Sequence, residues 1–388
     1  MTGGLQLRVC QSIHDVPRAA WDALLDERAM PFLRWDWLAS LEESGCVTPR
    51  RGWRPRHLAV WRGERLVAAA PAYLSESSDG DFSRDWDWAS AVERAGVHWY
   101  PKLCLTVPFT PATGRRLLVA QGEDRAACVA ALLGGARQLA EEERLTTVQV
   151  LFPDPEEVAE LEQAGWAIRL SYQYHWRNAG YREPEDFLAR LDSKRRNQHK
   201  RERAAPASQG ITIRTVRGEE LAADAVTWAR TAFALHHATV EKLPWGRGWL
   251  NQRFYELVMT RMPEAVEVVA AWREGRVIAG AFNMASRTHL YGRYWGCFEE
   301  HRFLHFNVCF YHSIDECIVR GLEVFEGGAG GEHKIVRGFE PAETYSAHLF
   351  LEPRVDAALR RHLVGETAEL RMGLERWRTS APILKPKE

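Results

Sequence analysis

The sequence predicts a mixed α/β fold in which one folding unit occurs twice. The first observation behind this prediction is an internal repeat: WRGERLVAAA begins at Trp61, WREGRVIAGA begins at Trp272, and each is typical of two strands around a glycine turn. The second is the order of elements around each repeat: helices, a meander of strands, a crossover helix and a last strand. The third is the length of 388 residues, enough for roughly two to three domains.

The first copy begins with a helix in PFLRWDWLASLEE, which starts at Pro31. Apolar runs bounded by glycine, proline and charged residues then predict strands, and a long amphipathic stretch predicts the crossover helix. The predicted ranges are 56–61, 65–74 and 117–120 for strands and 124–142 for the helix, with a last strand in TTVQVLF.

In the second copy, PWGRGWLNQRFYELV from Pro244 corresponds to the Pro31 helix. The same patterns predict helices over 222–242, 247–261 and 305–321, strands near 266–272, 276–285 and 288–297, and a last strand in LEVFEGG. A basic helix at 193–203 lies between the copies, and an amphipathic helix at 352–378 closes the chain. We therefore predict an N-terminal domain, 1–178, and a C-terminal domain, 179–388, that includes the basic and closing helices.

Composition excludes several classes of protein. The net charge of −1 gives no bulk attraction to DNA or to anionic lipid, although local basic clusters remain. Seven cysteines without a C-x-x-C pair do not indicate a disulfide framework. The N-terminus has no apolar signal core, and no apolar run is long enough to span a bilayer. We expect a cytoplasmic protein without a transmembrane segment; the sequence leaves its oligomeric state open.

The stretch FEGGAGGEHKIVRGFEP, residues 325–341 and here called the glycine segment, holds five glycines and a charged triplet. It is not a nucleotide P-loop, because that motif needs lysine directly after the last glycine, whereas Glu332 and His333 separate Gly331 from Lys334. The segment follows a strand, and open α/β sheets bind ligands where strands end. It is therefore either a ligand-binding turn or a solvated turn with ordinary charges.

Three stretches resemble the FemAB-like N-acyltransferases, specifically the branch for peptidoglycan biosynthesis or recognition. They are WYPKLCLTVPFTPATGRRLL at 99–118, SKRRNQHKRER at 193–203, and FLHFNVCFYHSIDECIVRGLEVFEGGAGGEHKIVRGFEP at 303–341. The predicted order of elements is also that of the GNAT acyltransferase fold. The resemblance implies two tandem GNAT-like domains that transfer an acyl or aminoacyl group to an amine, with a peptidoglycan precursor as a possible acceptor.

The resemblance also implies a co-substrate, acyl-CoA or aminoacyl-tRNA, and no tightly bound cofactor. Acetyl-CoA enzymes of the GNAT type carry a glycine motif before the helix that follows the splayed strand, but FEEHRFLHFN has no glycine there. This difference favours aminoacyl-tRNA or another donor. It also keeps a rival open, in which the protein is a non-catalytic recognition module for cell-wall fragments or tRNA.

Acyl transfer to an amine needs a group that stabilises an oxyanion and a group that accepts a proton. In the glycine segment, Lys334 is the candidate electrostatic clamp, and His333 with Glu332 or Glu326 are candidates for proton transfer. The oxyanion-binding backbone would lie in the strand LYGRYWGCF, where Gly292 and Gly296 permit a bulge or close approach of another backbone. The same glycines are equally consistent with a simple twist of the strand.

Further residues are candidates for substrate binding. The proline-rich stretch of the first copy combines aromatic rings with cations that could hold a phosphate or carboxylate, and the basic helix could hold phosphate. In the second copy, the glycine-containing strand and the following helix each offer one side chain to a groove. Packing and solvated surfaces remain alternatives for all of them: Tyr100, Lys102, Phe109, Arg116, Arg195, Arg196, Tyr294 and His305.

A stripe of potential metal ligands, His305, Cys309, His312 and Glu316, lies on the helix 305–321. Four such residues spread over three turns cannot all reach one ion. We therefore predict no metal site.

Overall fold

The computed structural model describes residues 4–242 and 248–380, which form two compact units. The first unit runs to Tyr172 and also includes Glu343–Gly373; the second comprises Gln173–Ala342 and the chain from Leu374. These units differ from the predicted halves 1–178 and 179–388, because a late strand returns to the sheet of the first unit.

The first unit contains two sheets. One has the strand order β1-β3-β4-β7, and the other includes the order β15-β8-β6-β5-β2. The strands are β1 Leu5–Cys10, β2 Trp53–Pro55, β3 His57–Arg62, β4 Arg65–Ala70, β5 Ala72–Ser75, β6 Lys102–Leu105, β7 Leu118–Val119, β8 Thr147–Leu151 and β15 Glu340–Phe350. The helices are α1 Arg18–Asp22, α2 Trp35–Glu43, α3 Trp86–Arg94, α4 Arg125–Glu142, α5 Pro155–Gln163 and α13 Pro353–Ser380, of which α13 continues past Gly373.

The second unit is built on the strand order β10-β11-β12-β13-β14-β9. The strands are β9 Ala167–Arg177, which begins in the first unit, β10 Thr212–Arg217, β11 Val266–Arg273, β12 Arg276–Ala285, β13 His289–Cys297 and β14 Val324–Glu326. The helices are α6 Pro184–Arg190, α7 Ser193–Ser208, α8 Gly218–Ala223, α9 Ala225–Val240, α10 Gln252–Arg261, α11 Leu304–Phe306 and α12 His312–Arg320. A π-helical turn, Asn307–Tyr311, joins α11 to α12, and a 3₁₀ turn, Glu332–Arg337, follows β14.

The two predicted hairpins are confirmed, and their details match. Each has a register shift at its tryptophan, between Val60 and Trp61 in β3 and between Ala271 and Trp272 in β11. An arginine of a paired strand, Arg8 of β1 or Arg214 of β10, lies over each indole, 5.1 Å from the Trp61 ring and 4.4 Å from the Trp272 ring. The stretch that was compared with the Pro31 helix begins at Pro244, outside the described residues, and its described part contains α10, Gln252–Arg261.

Parallel strand pairs follow from the crossover helices, as predicted. In the first unit α4 leads into β8, which pairs in parallel with β6; in the second, the segment from α11 to α12 leads into β14, which pairs in parallel with β13. The first core buries the apolar faces of β3, β4, β6 and β8 against α4. Gly135 of α4 gives room there to Leu7 of β1, whose side chain would lie 2.1 Å from a Cβ at this position and would have to move.

Three local predictions need correction. The strand predicted over 65–74 divides at Pro71 into β4 and β5, which belong to different sheets, because proline cannot donate to a ladder. The proline-rich stretch of the first copy contains a further strand, β6. The basic helix does not end before Pro206 but continues to Ser208, where the missing proline N–H affects the last turn alone.

Candidate functional site

The candidate site lies where two parallel strands of the second unit separate. Strand β14 pairs with β13 at His289–Tyr291 and ends at Glu326, whereas β13 continues to Cys297. Beyond Tyr291, β13 is therefore paired with β12 on one side and leaves a gap on the other. This divergence creates the space for a pocket.

A β-bulge lies in β13 at this point, as the glycines of this strand suggested. Gly292 is opposite Asn283 of β12 and Tyr294 is opposite Phe282, so Arg293 is the extra residue. Bulges redirect backbone groups and side chains beside functional sites. Gly296 has a different role, because a Cβ there would lie 1.7 Å from the Leu235 carbonyl oxygen of α9.

A pocket of about 270 Å³ occupies the gap. Its walls come from β12, β13, the helical segment that begins with α11, and the glycine segment. Four of the predicted catalytic or substrate-binding side chains line this pocket together: Tyr294, His305, His333 and Lys334. Gly292 and Cys309, which the sequence analysis also singled out, line it as well.

Lys334 is only 4% exposed at the wall of the pocket. Its ammonium donates hydrogen bonds of 2.7 Å to the carbonyl oxygens of Gly328 and Gly330. Within residues 4–242 and 248–380 no carboxylate forms an ion pair with it. Burial lowers the pKa of Lys334 to about 8, opposed by the nearby Cys309 thiol. The side chain is a cation in an enclosed site with one hydrogen left to donate.

Two histidines of the pocket are kept neutral. Burial, reinforced by His333, Arg337 and Lys334, lowers the pKa of His305 to about 4. The pKa of His333 is also lowered, by burial and by the cations Lys334 and Arg337. The two rings lie 5.9 Å apart. Both are therefore potential proton acceptors at neutral pH.

Asn283 is a pocket residue that the sequence analysis missed. It is 2% exposed, and its side-chain Nδ2 has no hydrogen-bond partner among the described residues. A buried donor without a partner is costly and is expected to meet an acceptor from a ligand or water. The available signal was a single amide in the otherwise apolar strand RVIAGAFNMA.

The two predicted acidic residues do not line the pocket. Glu332 begins the 3₁₀ turn with an exposed side chain, and Glu326 is buried at the end of β14, opposite Tyr291 and His175 in the sheet. The structure thus places one of the predicted proton-transfer residues, His333, in the pocket wall.

In the first unit, three residues that were predicted to line a substrate groove are instead buried in the interior. The Lys102 ammonium is completely buried, 2.8 Å from Asp81 and 2.7 Å from Asp85. The Arg116 guanidinium is also buried and donates to the carbonyls of its own loop, including Ala112 at 2.7 Å. Phe109 packs against Trp53 at 5.7 Å. Tyr100 is half-buried, and its hydroxyl lies 2.7 Å from Ser78 Oγ.

A larger pocket of about 430 Å³ in the first unit contains none of the predicted site residues. Arg169 lines it and forms a bidentate pair with Glu366 of α13, at 3.0 and 2.8 Å. These two charges therefore offset each other, and Arg84 and Glu369 also line the pocket.

Arg195 and Arg196 lie on α7, away from the pocket lining, with partly exposed side chains. The structure shows no ion pair for either among the residues it describes. Their neighbour Arg203 does pair, with Asp315 of α12.

The potential metal stripe is divided by the π-helical turn. His305 and Cys309 line the pocket, whereas His312 contacts Thr215 at 2.9 Å and Glu316 pairs with Arg217 at 3.6 Å. No group of ligands suited to a metal ion occurs in the part of the chain that the structure describes.

Strands that separate beside a crossover helix, with a bulge and a pocket at the point of separation, are the arrangement that the resemblance to GNAT-like acyltransferases implied. A family model described as peptidoglycan biosynthesis/recognition, FemAB-like, matches residues 12–385. The chain belongs to this FemAB-like family.

Solved structures support the fold. A crystal structure of FemX is similar over 89% of this chain and 98% of its own, with 12% identity and a TM-score of 0.52. A tandem GNAT protein from the clavulanic acid biosynthesis pathway matches over 90% of this chain and 99% of its own, with 15% identity and a TM-score of 0.45, which adds no further argument. No curated protein matches the sequence significantly. Across residues 4–242 and 248–380, no helix has the length and apolar character needed to cross a bilayer.

Proposed function

We propose that this protein is an N-acyltransferase that moves an acyl or aminoacyl group to an amine in the pocket of the second unit. The observation that carries the proposal is Lys334, a buried cation at the pocket wall for which the described chain supplies no carboxylate. Burial of an unpaired ammonium is unfavourable, so its placement beside a cavity fits a role on negative charge that develops there.

The amine nitrogen attacks the carbonyl carbon of the donor, and a C–N bond forms while the carbonyl oxygen becomes an oxyanion. Lys334 stabilises this oxyanion with its remaining N–H, and the unpaired Asn283 amide supplies a second donor. His333 accepts the amine proton, since it is neutral and lines the pocket. Collapse of the intermediate breaks the bond from the carbonyl carbon to the thioester sulfur or the ester oxygen. CoA then leaves as its thiolate, or the ribose oxygen of tRNA leaves as a hydroxyl after taking back the proton that His333 accepted.

For the donor we propose aminoacyl-tRNA, with acyl-CoA as the second candidate. The exposed basic residues of α7 suit a polyphosphate backbone, and the loop before α11 lacks the glycine motif of acetyl-CoA enzymes. For the acceptor we propose an amine of a peptidoglycan precursor, which the family description supports. Both donors are cytoplasmic molecules, and we place the reaction in that compartment.

The test is isotope transfer with the purified protein. Labelled aminoacyl-tRNA and labelled acyl-CoA are offered with peptidoglycan precursors, and products are identified by mass spectrometry. Transfer that depends on Lys334 is expected from one of the donors. Tight binding of precursor or tRNA without transfer from either donor contradicts the proposal and supports a recognition module.

A further inference from the structure

We infer that Glu202, on the inner face of α7, is a positioning residue that holds the turn carrying Lys334 through an ion pair with Arg337. The inference rests on the proposed function, since it assigns the means by which Lys334 is placed for transfer. It also joins the basic helix and the glycine segment, two stretches that are far apart in the sequence.

Glu202 is 3% exposed and is the centre of a hydrogen-bond network that joins α7 to Tyr311 and Arg337. Its Oε2 accepts hydrogen bonds from the Tyr311 hydroxyl at 2.6 Å and from Arg337 Nη2 at 2.8 Å. Burial disfavours ionisation of this carboxyl, but hydrogen bonds from Tyr311 and Gln198 and the charge of Arg337 outweigh burial and lower its pKa. Glu202 is therefore a fixed negative charge inside the second unit.

Arg337 connects this charge to the pocket. While Nη2 contacts Glu202, Nη1 donates to the backbone carbonyl of His333 at 2.6 Å. The guanidinium also lies 3.3 Å from the centre of the Phe306 ring. Its orientation is thus defined on three sides, and the carbonyl that it holds directly precedes Lys334.

The turn itself has few other polar constraints, and its packing contacts are those of the His333 ring, 5.8 Å from Phe306 and 5.6 Å from Phe310, and of Ile335 against the core. It lies between Gly331 and Gly338, which have φ values of 92° and 88°, a conformation that favours glycine and permits a change of chain direction. Its backbone hydrogen bonds are local, such as Lys334 N to the Gly331 carbonyl. Among the residues described, the Glu202–Arg337 pair is the polar contact that ties this turn to another element.

A small displacement of the turn moves the Lys334 ammonium relative to the reacting carbonyl. Misplacement of about 1 Å is enough to reduce a rate by roughly 100-fold. The ion pair is accordingly expected to affect kcat rather than substrate binding.

The test compares Glu202→Gln with Asp315→Asn. Both replacements keep the shape of the side chain and remove the carboxylate from an ion pair of α7, but Asp315 pairs with Arg203 and does not contact the turn. We expect kcat of Glu202→Gln to fall by about 10- to 100-fold with KM within about threefold, and Asp315→Asn to stay within about threefold of the parent. In the double variant, Glu202→Gln is expected to lower kcat by no more than about threefold beyond Lys334→Met alone. Both substitutions remove the same contribution, that of a correctly placed Lys334 ammonium.

A second measurement does not require activity. Amide hydrogen exchange of residues 328–338, followed by mass spectrometry, is expected to be faster in Glu202→Gln than in the parent and in Asp315→Asn. Unchanged exchange in this segment, or a loss of rate that simply adds to that of Lys334→Met, overturns the inference. If the parent transfers nothing, the proposed function fails, while the exchange result still decides whether Glu202 holds the turn. Should Glu202→Gln not fold, Arg337→Lys, which replaces the two guanidinium nitrogens that contact Glu202 and His333 by a single ammonium, is subject to the same criteria.

Discussion

Lys334 combines, at the scale of a single residue, the cost of burying a charge with hydrogen bonds that offset part of that cost. Lysine is almost never fully buried unless it is paired, yet this ammonium is enclosed and contacts two carbonyl oxygens. The loss of hydration appears as the lowered pKa. The side chain therefore stabilises the glycine segment locally while keeping a charge directed at the pocket.

We expect Lys334→Met to lower the rate of transfer on the order of 10²-fold, because a preorganised cation facing an oxyanion is lost. The position of the turn alone suggested little cost in stability, but the two carbonyl contacts now predict a loss of about 1–3 kcal/mol in the free energy of unfolding. Initial rates and urea unfolding measure the two effects separately. A rate within about threefold of the parent, a difference of roughly 0.65 kcal/mol, means that Lys334 has no part in the chemistry.

The pH dependence of the rate is expected to report the protonation state of Lys334. The protonated ammonium is the form that stabilises an oxyanion, so kcat is expected to fall as the pH rises through about 8. In the unfolded chain the pKa of Lys334 returns to 10.5. Between about pH 8 and pH 10.5 the unfolded state therefore binds more protons than the folded state. Because of this difference, Lys334 makes the free energy of unfolding rise with pH in that range. Rate profiles of the parent and of Lys334→Met test this; a rate that instead rises through pH 8 indicates that neutral Lys334 acts as a base.

Replacing Asn283 is expected to lower activity without lowering stability. In Asn283→Leu a buried amide donor without a partner is replaced by an apolar group of similar size, which is expected to be neutral or stabilising. If the amide contacts the oxyanion, the rate falls by about 10²-fold. Thermal unfolding and initial rates are measured on the same samples. A slower enzyme that is also strongly destabilised would indicate a packing role instead.

At the scale of elements, α7 has two faces with different tasks. Its inner face carries buried Glu202 and its outer face carries cations, although the whole chain has a net charge of −1. The affinity of a charged face for nucleic acid depends on the salt concentration, because each neutralised phosphate releases counterions. This dependence separates phosphate binding from a merely solvated basic surface.

We expect Arg195→Ala and Arg196→Ala to weaken binding of aminoacyl-tRNA and each to reduce the slope of log K against log salt by up to about one. Arg360→Ala on α13 is the control, since Arg360 pairs with Asp356 on its own helix. Filter binding over a range of salt concentrations gives the slopes. Binding that does not depend on salt in the parent would exclude this role for α7.

Elements with a clear period were predictable from the sequence. Strands β11, β12 and β13 and the helix after them lie within one or two residues of their predicted ranges, because the hairpin turn and the apolar periods are local signals. The π-helical turn was not predictable from such periods, since it inserts one residue into a regular helix. It separates His305 from His312, which a regular helix would place on one stripe.

At the scale of the whole molecule, the first unit depends on a buried group of charges. Lys102 of β6 forms ion pairs with Asp81 and Asp85, which lie in the loop before α3, and all three side chains are inaccessible to solvent. Removing one partner of such a group leaves uncompensated charge in the interior. Breaking a buried pair in this way typically costs several kcal/mol.

We expect Lys102→Met to lower the free energy of unfolding by about 3–5 kcal/mol, as measured by urea unfolding. Adding Asp81→Asn to this variant removes one of the stranded carboxylates and is expected to recover part of the loss. A single variant as stable as the parent to within about 1 kcal/mol would show that the carboxylates become protonated at little cost.

The sequence alone determined the repeated hairpins, the crossover helices, the position of the bulge and the turn of the glycine segment after a strand, because each depends on residues close together in the chain. Only the tertiary structure decided that Lys102, Arg116 and Phe109 are enclosed. Lys102 and Phe109 meet residues from other loops and strands, and Arg116, which also bonds to its own loop, lies against Met30. It also decided that Asn283 lines the pocket and that Glu202 holds Arg337, which is 135 positions away. The physical reason is that charge and amide groups have the same local pattern whether they meet water, a partner or a ligand, and burial is set by elements that the chain brings together only when it folds.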